Sequence, residues 1–222
     1  MEFLKLFEMT TKQEMIEKQL KGRNISAPQV LQAMAEVDRS LFVPEDMQDK
    51  AYEDRPLPIG KDQTISKPYI VAYMAEELEL KKTDKVLEVG TGCGYNAAVI
   101  SRLVSQVYSV EIIEWLAALA KENLARTDYD NISIRHGDGY SGWKEEAPFD
   151  AILLTAAPVA IPKPLKDQLK IGGKILAPVG RINQELVLLK KTGEETFEEK
   201  KLLPVRFVPM TGRADKGGSY GK

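Results

Sequence analysis

The stretch KVLEVGTGCG, residues 85–94, decides the fold. Its first five residues read as a short buried strand, and a helical pattern opens at Tyr95 directly after it. Between them, Gly90, Gly92 and Gly94 permit positive φ and let a ligand approach the backbone closely. In parallel α/β sheets ligands sit at the carboxyl ends of strands, near the point where strand order reverses. The spacing narrows the ligand. A dinucleotide fingerprint, G-x-G-x-x-G counted from Gly90, needs its third glycine at residue 95, where this chain has Tyr95. Twenty-one residues after Gly90, Glu111 closes the next apolar run, VYSVEII, where an acid can accept hydrogen bonds from both hydroxyls of a ribose. Together these features fit a ligand that has a ribose and requires no phosphate.

Outward from this turn the chain alternates regularly. Helices are expected over 70–80, 95–104 and 114–126, with a proline-rich helical region at 162–170. Strands are expected over 85–89, 106–112, 132–135 and 149–154, from 172 to 178 behind a tight Gly172–Gly173 turn, and in two late runs at 185–189 and 205–208. Short connections between alternating strands and helices imply a mainly parallel sheet covered on both faces. Before it, residues 10–43 carry apolar positions at helical spacing, broken near Gly22–Arg23–Asn24, with Pro28 at the start of a second helix. Residues 44–67 read as an irregular connection punctuated by Pro56, Pro58 and Gly60, and loops of that length are usually functional. The chain is therefore read as one domain over 1–222. A helical cap and substrate loop fill 10–68, a cofactor-binding α/β core 69–212 and a flexible tail 213–222.

Composition excludes several kinds of chemistry. Of 222 residues, 43% are hydrophobic and 29% charged, enough apolar material for a substantial core. A net charge of −2 carries no bulk basicity for nucleic acid. One cysteine, Cys93, and one histidine, His136, rule out an intramolecular disulfide framework and make metal clusters and a histidine-centred triad implausible. No apolar run is long enough for a membrane span, and the N-terminus lacks the pattern of a secretory signal. A cytoplasmic monomer that binds neither membrane nor metal is expected. His136 is expected to face solvent, Trp115 and Leu116 to lie in the core, the charge run 194–201 to form a solvated hairpin, and Trp143 either to stack near the ligand or to pack.

EVGTGCG at 88–94, an acid ending the second strand and GDG at 137–139 resemble the S-adenosylmethionine site of class I methyltransferases. The resemblance implies a Rossmann-like, mostly parallel sheet with helices on both faces. It also implies that Gly90, Gly92 and Gly94 border the methionine part, that Glu111, with Ile112 beside it, holds the ribose, and that Gly137, Asp138 and Gly139 lie near the adenine. An ordinary turn role remains the alternative for Asp138. Glu88 is expected to orient the amino end of the cofactor, because an acid inside an apolar strand is costly without a partner.

The long connection is more specific. YEDRPLPIG (52–60) followed by QTISKP (63–68) resembles the protein-L-isoaspartate (D-aspartate) O-methyltransferases. The resemblance continues through VLQAMAEVDRSLFVP (30–44), FDAILLTAAP (149–158), LKIGGKILAPVG (169–180) and VRFVPMTG (205–212). It departs at Thr91 and Cys93, where the family's loop often has a serine. It implies methyl transfer to the free carboxylate of L-isoaspartyl and D-aspartyl residues in damaged proteins, with S-adenosyl-L-homocysteine as product and repair proceeding through a succinimide. Gln63, Thr64, Ile65 and Ser66 would meet the cofactor, Ile59, Thr64 and Ser66 the substrate, and Thr211 the cofactor or a lid. Ser66 is the expected catalytic residue, its hydroxyl donating to the substrate carboxylate; capping of the following helix is its alternative. A carboxylate nucleophile is already ionised at neutral pH and needs no general base. Rival readings are a methyltransferase for RNA or a small molecule, which fold alone does not exclude, and a non-catalytic cofactor-binding protein. An RNA enzyme is expected to show a basic face or an aromatic stacking platform, and neither is visible in the sequence, while a non-catalytic binder would not need QTIS.

Overall fold

The computed structural model describes residues 10–216. The start of the chain that was read for a signal, and residues 217–222 of the expected tail, lie outside the described residues. The N-terminal cap begins with α1 (Lys12–Glu14), opened by a reciprocal Thr11–Glu14 capping box. It continues as a π-helical stretch, Met15–Leu20, and a 3-10 turn, Lys21–Arg23, ended by Asn24 in the left-handed region at φ 67°. Pro28 starts α2 (Pro28–Glu36), where its missing N–H costs nothing.

The connection read as irregular contains two 3-10 turns, Arg39–Phe42 and Glu45–Lys50, and then an antiparallel hairpin of β1 (Leu57–Gly60) and β2 (Gln63–Ile65). Its two turn residues, Lys61 and Asp62, both have positive φ, 54° and 55°, the twist that suits a two-residue hairpin. The chain lacks the Asn-Gly or Asp-Gly pair that normally announces this turn, and Pro58 disguises the strand. The α/β part follows as α3 (Pro68–Leu78), β3 (Lys85–Val89), α4 (Tyr95–Ser101), β4 (Gln106–Glu111), α5 (Glu114–Ala125), β5 (Ile132–His136) and β6 (Phe149–Leu154). It ends with α6 (Lys163–Asp167), β7 (Leu169–Val179), β8 (Gln184–Lys191), β9 (Phe197–Val205) and α7 (Arg213–Lys216).

Seven strands form one sheet in the order β5-β4-β3-β6-β7-β8-β9, parallel through β7 and antiparallel beyond it. Both faces are packed. Val86, Ala151, Leu153 and Leu176 join the core shared with the cap, α3 and α4, while Leu87, Ile152, Leu154 and Ile175 join a second core with Leu165 of α6. That period-two division is what a doubly covered sheet requires. Chain order reverses at β3, whose neighbours are β4 and β6, so a crevice opens at the carboxyl ends of these three strands.

Six expectations are corrected. The helical region ends at Asp167, and β7 already starts at Leu169. Gly172–Gly173 is no turn between elements; it is a bulge within β7, where pairing shifts from Phe149–Leu169 to Ala151–Lys174. The charge run 194–201 enters β9, and the segment expected as a strand at 205–208 instead leaves the sheet after Val205. As an edge strand β9 has one neighbour and exposed faces, so Glu198, Glu199, Lys200 and Lys201 serve it while erasing its apolar signature. The first residues of the expected flexible tail form α7, and Arg213 donates its backbone N–H to Asp138 at 2.9 Å. Trp115 is 48% exposed; it lies on the hairpin tip beside Gly60, with the Lys61 ammonium 5.7 Å from its ring, and not in the core.

One polar chain is buried where the glycine turn begins. Glu88, 1% exposed on β3, stands opposite Ser109 on β4. Asn96 of α4 donates to one carboxyl oxygen at 2.7 Å, Ser109 donates to the other, and Ser109 and Thr91 share a hydrogen bond of 2.6 Å. Burial pushes the Glu88 carboxyl up to about 7, against the bonds from Ser109 and Asn96 that pull it down, with a small push from the Glu111 charge. Because the folded value lies above the ordinary 4.5, this group's stabilising contribution is complete below pH 4.5 and is lost as pH rises through 7. Glu88→Gln should remove this dependence. The difference in urea-unfolding free energy between wild type and variant should change by about 3 kcal/mol between pH 4.5 and pH 8. A difference constant across that range would show that the carboxyl stays ionised throughout.

Candidate active site

The crevice is shaped by Glu111, the last residue of β4 and 5% exposed. One carboxylate oxygen accepts the backbone N–H of Gly92 at 2.8 Å and the other that of Ile113 at 2.9 Å. The acid thereby ties the glycine turn after β3 to the turn after β4, and it also lines the cavity. Gly90, at φ 99°, passes so close to β6 that a Cβ there would stand 2.3 Å from the Thr155 hydroxyl oxygen. Gly94, at φ 93°, is the N-cap of α4 and is backed by Ala120 and Leu124 of α5.

The hairpin roofs the cavity on one side through Ile59, Gln63, Thr64, Ile65 and Ser66. The segment 208–211, whose Pro209 bridges to Ala157, closes another side and brings in Thr211. Asp138 and Gly139 stand at the β5 end, with the Asp138 carboxylate accepting the backbone N–H groups of Tyr140 and Arg213, both at 2.9 Å. Gly90, Gly92, Glu111 and Ile112 complete the set of expected residues that line it.

Three expected residues fall outside the lining. Gly94 serves helix packing, and a Cβ on Gly137 would face Val110 at 3.9 Å. Glu88 lies beneath the floor, reaching the cavity only through Asn96 and Thr91, which line it. Trp143 packs edge-on to Tyr108 at 5.3 Å under the Arg135 guanidinium, so it takes the packing alternative and not the stacking one. His136 is exposed, as expected, 3.2 Å from the Ile112 carbonyl. Sequence reasoning missed Asn96, Thr155 and Met210 as lining residues. Thr155 was findable, since it follows β6 immediately and the carboxyl end of that strand flanks the reversal point. Met210 comes from a distant return of the chain that no local pattern marks.

Charge divides the surroundings of Ser66. The cavity lining includes the carboxylates of Glu111 and Asp138 and, among the described residues, no Lys, Arg or His. A second, open groove adjoins it, lined by Arg23, Lys67 and Arg206 with Tyr69 and the extended segment 203–208, and by no acid among the described residues. Arg23 pairs with Asp54 at 2.6 Å and covers the Tyr69 ring at 3.4 Å. Thr64, Ser66, Thr155 and Val208 line both compartments. The capping alternative for Ser66 is not what the backbone does: Lys67 is the N-cap of α3, without a side-chain cap, and Asp54 takes the Tyr69 N–H at 3.0 Å.

Comparison with known proteins gives this geometry a context. Residues 10–215 match the family model described as protein-L-isoaspartate(D-aspartate) O-methyltransferase. A protein-L-isoaspartate O-methyltransferase 2 from Pelobacter propionicus is 52% identical over 200 residues, covering 89% of each chain. A solved protein-L-isoaspartate O-methyltransferase superposes with a TM-score of 0.84 at 30% identity, over 92% of this chain and 67% of that one. A Plasmodium falciparum beta-aspartate methyltransferase, solved in complex with S-adenosyl-L-homocysteine, superposes with a TM-score of 0.80 at 28% identity, over 90% of this chain and 97% of that one. The glycine turn, the acid that braces it and the roofing hairpin thus belong to an enzyme that methylates isoaspartyl residues with S-adenosylmethionine, and the chain is a member of the protein-L-isoaspartate (D-aspartate) O-methyltransferase family.

Proposed function

We propose that Ser66 is the catalytic contact of this enzyme and that damaged chains lie in the open groove with the free carboxylate of an L-isoaspartyl or D-aspartyl residue against its hydroxyl. One observation carries the reading: Ser66 lines both the anionic cavity and the cationic groove. When bound, S-adenosylmethionine supplies an electrophilic methyl on a cationic sulfonium and leaves as S-adenosyl-L-homocysteine. The cavity suits that group on its own chemistry. Two carboxylates and no cationic side chain favour a positively charged ligand over a pyrophosphate, and Glu111 offers lone pairs to a ribose diol.

The chain's own residues hold and orient the reactants. Arg23, Lys67 and Arg206 give the groove a positive field that draws an anionic site in. The Ser66 hydroxyl donates to the carboxylate without neutralising it, as a full cation in contact would. Gln63, Thr64 and Ile65 hold the cofactor from above and Thr64 also flanks the substrate, while Ile59, expected at the substrate, lines only the cofactor cavity and not the groove, and Thr211 closes the far side. Gly90, Gly92, Ile112, Asp138 and Gly139 supply the remaining cofactor contacts. Holding the two reactants in line contributes the entropy otherwise lost on encounter. The methyl ester product carries a better leaving group than the free carboxylate, so the adjacent peptide nitrogen attacks its carbonyl and expels methanol to form a succinimide after release, without further enzyme. We also propose a cytoplasmic monomer independent of nucleic acid and membranes, on the near-neutral charge and single cysteine. Sedimentation and cell fractionation test those two points.

Methyl incorporation is expected into an isoaspartyl peptide and not into its aspartyl twin; equal labelling would reject the substrate reading. Ser66→Ala should lower kcat/KM about 10- to 100-fold, the scale of a hydrogen bond to a charged group, with cofactor affinity within about threefold of wild type. Preserved turnover with lost affinity would give Ser66 to the cofactor instead. Glu111→Ala should weaken calorimetric cofactor binding by roughly 1.5 to 3 kcal/mol, and unchanged affinity would remove Glu111 from the cofactor site.

A further inference from the structure

Arg39 is fully buried, and among the described residues no carboxylate lies within ion-pair distance of it. Its guanidinium spends its hydrogen bonds on backbone carbonyls: one terminal nitrogen donates to Ala51, the other to Arg55 at 3.4 Å and to Ser66 at 3.0 Å. Its Nε finds no acceptor. These carbonyls bracket the hairpin, two before β1 and one directly after β2. The guanidinium also stands 5.6 Å from the centre of the Tyr95 ring, and Tyr95 lines the cofactor cavity.

Burying a cation without a counter-charge is expensive, and an apolar side chain of similar volume is often equally or more stabilising. Stability alone is therefore a poor reason for Arg39. Its planar fork is suited to a geometric task, since a single rigid group reaches carbonyls on both sides of a loop. We propose that Arg39 is a positioning residue for methyl transfer, clasping the two ends of the 57–65 hairpin so that Ser66 is held at a fixed distance from the cofactor cavity. This rests on the reading of Ser66 as the contact to the substrate carboxylate. The clasp acts through the Ser66 carbonyl, so it sets the peptide plane of that residue while its side chain stays available to substrate.

Arg39→Met keeps the stem and removes the fork; Arg39→Lys keeps the charge with a single point of donation. In the full-length protein, Arg39→Met should lower kcat/KM for an isoaspartyl peptide about 10- to 100-fold, no more than Ser66→Ala does, and Arg39→Lys about fivefold. Affinity for S-adenosyl-L-homocysteine should stay within about fivefold in both. Amide hydrogen exchange should accelerate at least tenfold over 57–66 and remain unchanged in β3, β4 and β6. Turnover within threefold of wild type in folded Arg39→Met would overturn the proposal, as would a loss of activity accompanied by faster exchange throughout the sheet. Should Arg39→Met fail to fold, Arg39→Lys decides, and full activity in it refutes the clasp. Failure of the Ser66 reading is distinguishable: Ser66→Ala would then be fully active while the Arg39 variants still loosened the hairpin.

Discussion

The reaction joins a cationic sulfonium to an anionic carboxylate, and the fold offers two adjoining compartments of opposite charge. Glu111 and Asp138 line the compartment behind the hairpin, while Arg23, Lys67 and Arg206 line the one in front of it. On the proposed reading, each reactant is thus drawn toward one side and disfavoured on the other. The two compartments share only a short common wall, in which Thr64, Ser66 and Thr155 are the polar members. Because both charges diminish as the methyl moves, a site that solvates each reactant with fixed dipoles in place of water favours the crossing. Strong cations at the shared wall would hold the nucleophile back; hydroxyls do not.

That partition depends on backbone held in place from three strands. The Glu111 carboxylate joins the turns after β3 and β4, the Gly90 turn lies against Thr155 after β6, and the buried Glu88–Ser109–Thr91 chain fixes the base of the glycine turn. All of these belong to the sheet, where parallel pairing and two packed cores leave little freedom. The hairpin stands on different ground. It is a two-stranded unit outside the main sheet, too small to be rigid alone. Its order comes from contacts at both extremities, Trp115 under the tip at Gly60 and Lys61 and the Arg39 fork at the base.

How much of this was legible before the structure follows from where each signal is written. The glycine turn and the acid after β4 are local patterns at fixed spacing, and both landed in the cavity. Glu88 and Gly94 were expected at the cofactor, but their jobs lie beneath the surface: a buried acid in a strand signals that a partner exists without saying whether it is ligand or protein. The hairpin stayed hidden because Pro58 and the Lys61–Asp62 turn carry the wrong residue types for its geometry. β9 stayed hidden because an edge strand hides its periodicity under charge. Arg39 could not be singled out at all. Within VDRSLFVP it reads as one more surface cation, and only the return of Ala51, Arg55 and Ser66 around it reveals a buried fork.

Charge cannot be what separates damaged from normal aspartate, since both carry one carboxylate. They differ in position: relative to L-aspartate, the free carboxylate of L-isoaspartate sits directly on a backbone carbon with no methylene between, and that of D-aspartate leaves the backbone carbon with inverted configuration. A hydroxyl that moved by that distance would serve either residue. Discrimination therefore requires that the backbone resting in the groove and the side chain of Ser66 be fixed relative to one another within a fraction of a bond length, and misplacement near 1 Å already costs about 100-fold in rate. On the proposed reading the extended 203–208 segment, which lines the groove, would track the substrate main chain, and the other half of that ruler is the hairpin. Its stiffness is thus a specificity element as much as a catalytic one, which gives a buried, unpaired cation at its base a reason to persist where an apolar side chain would pack as well.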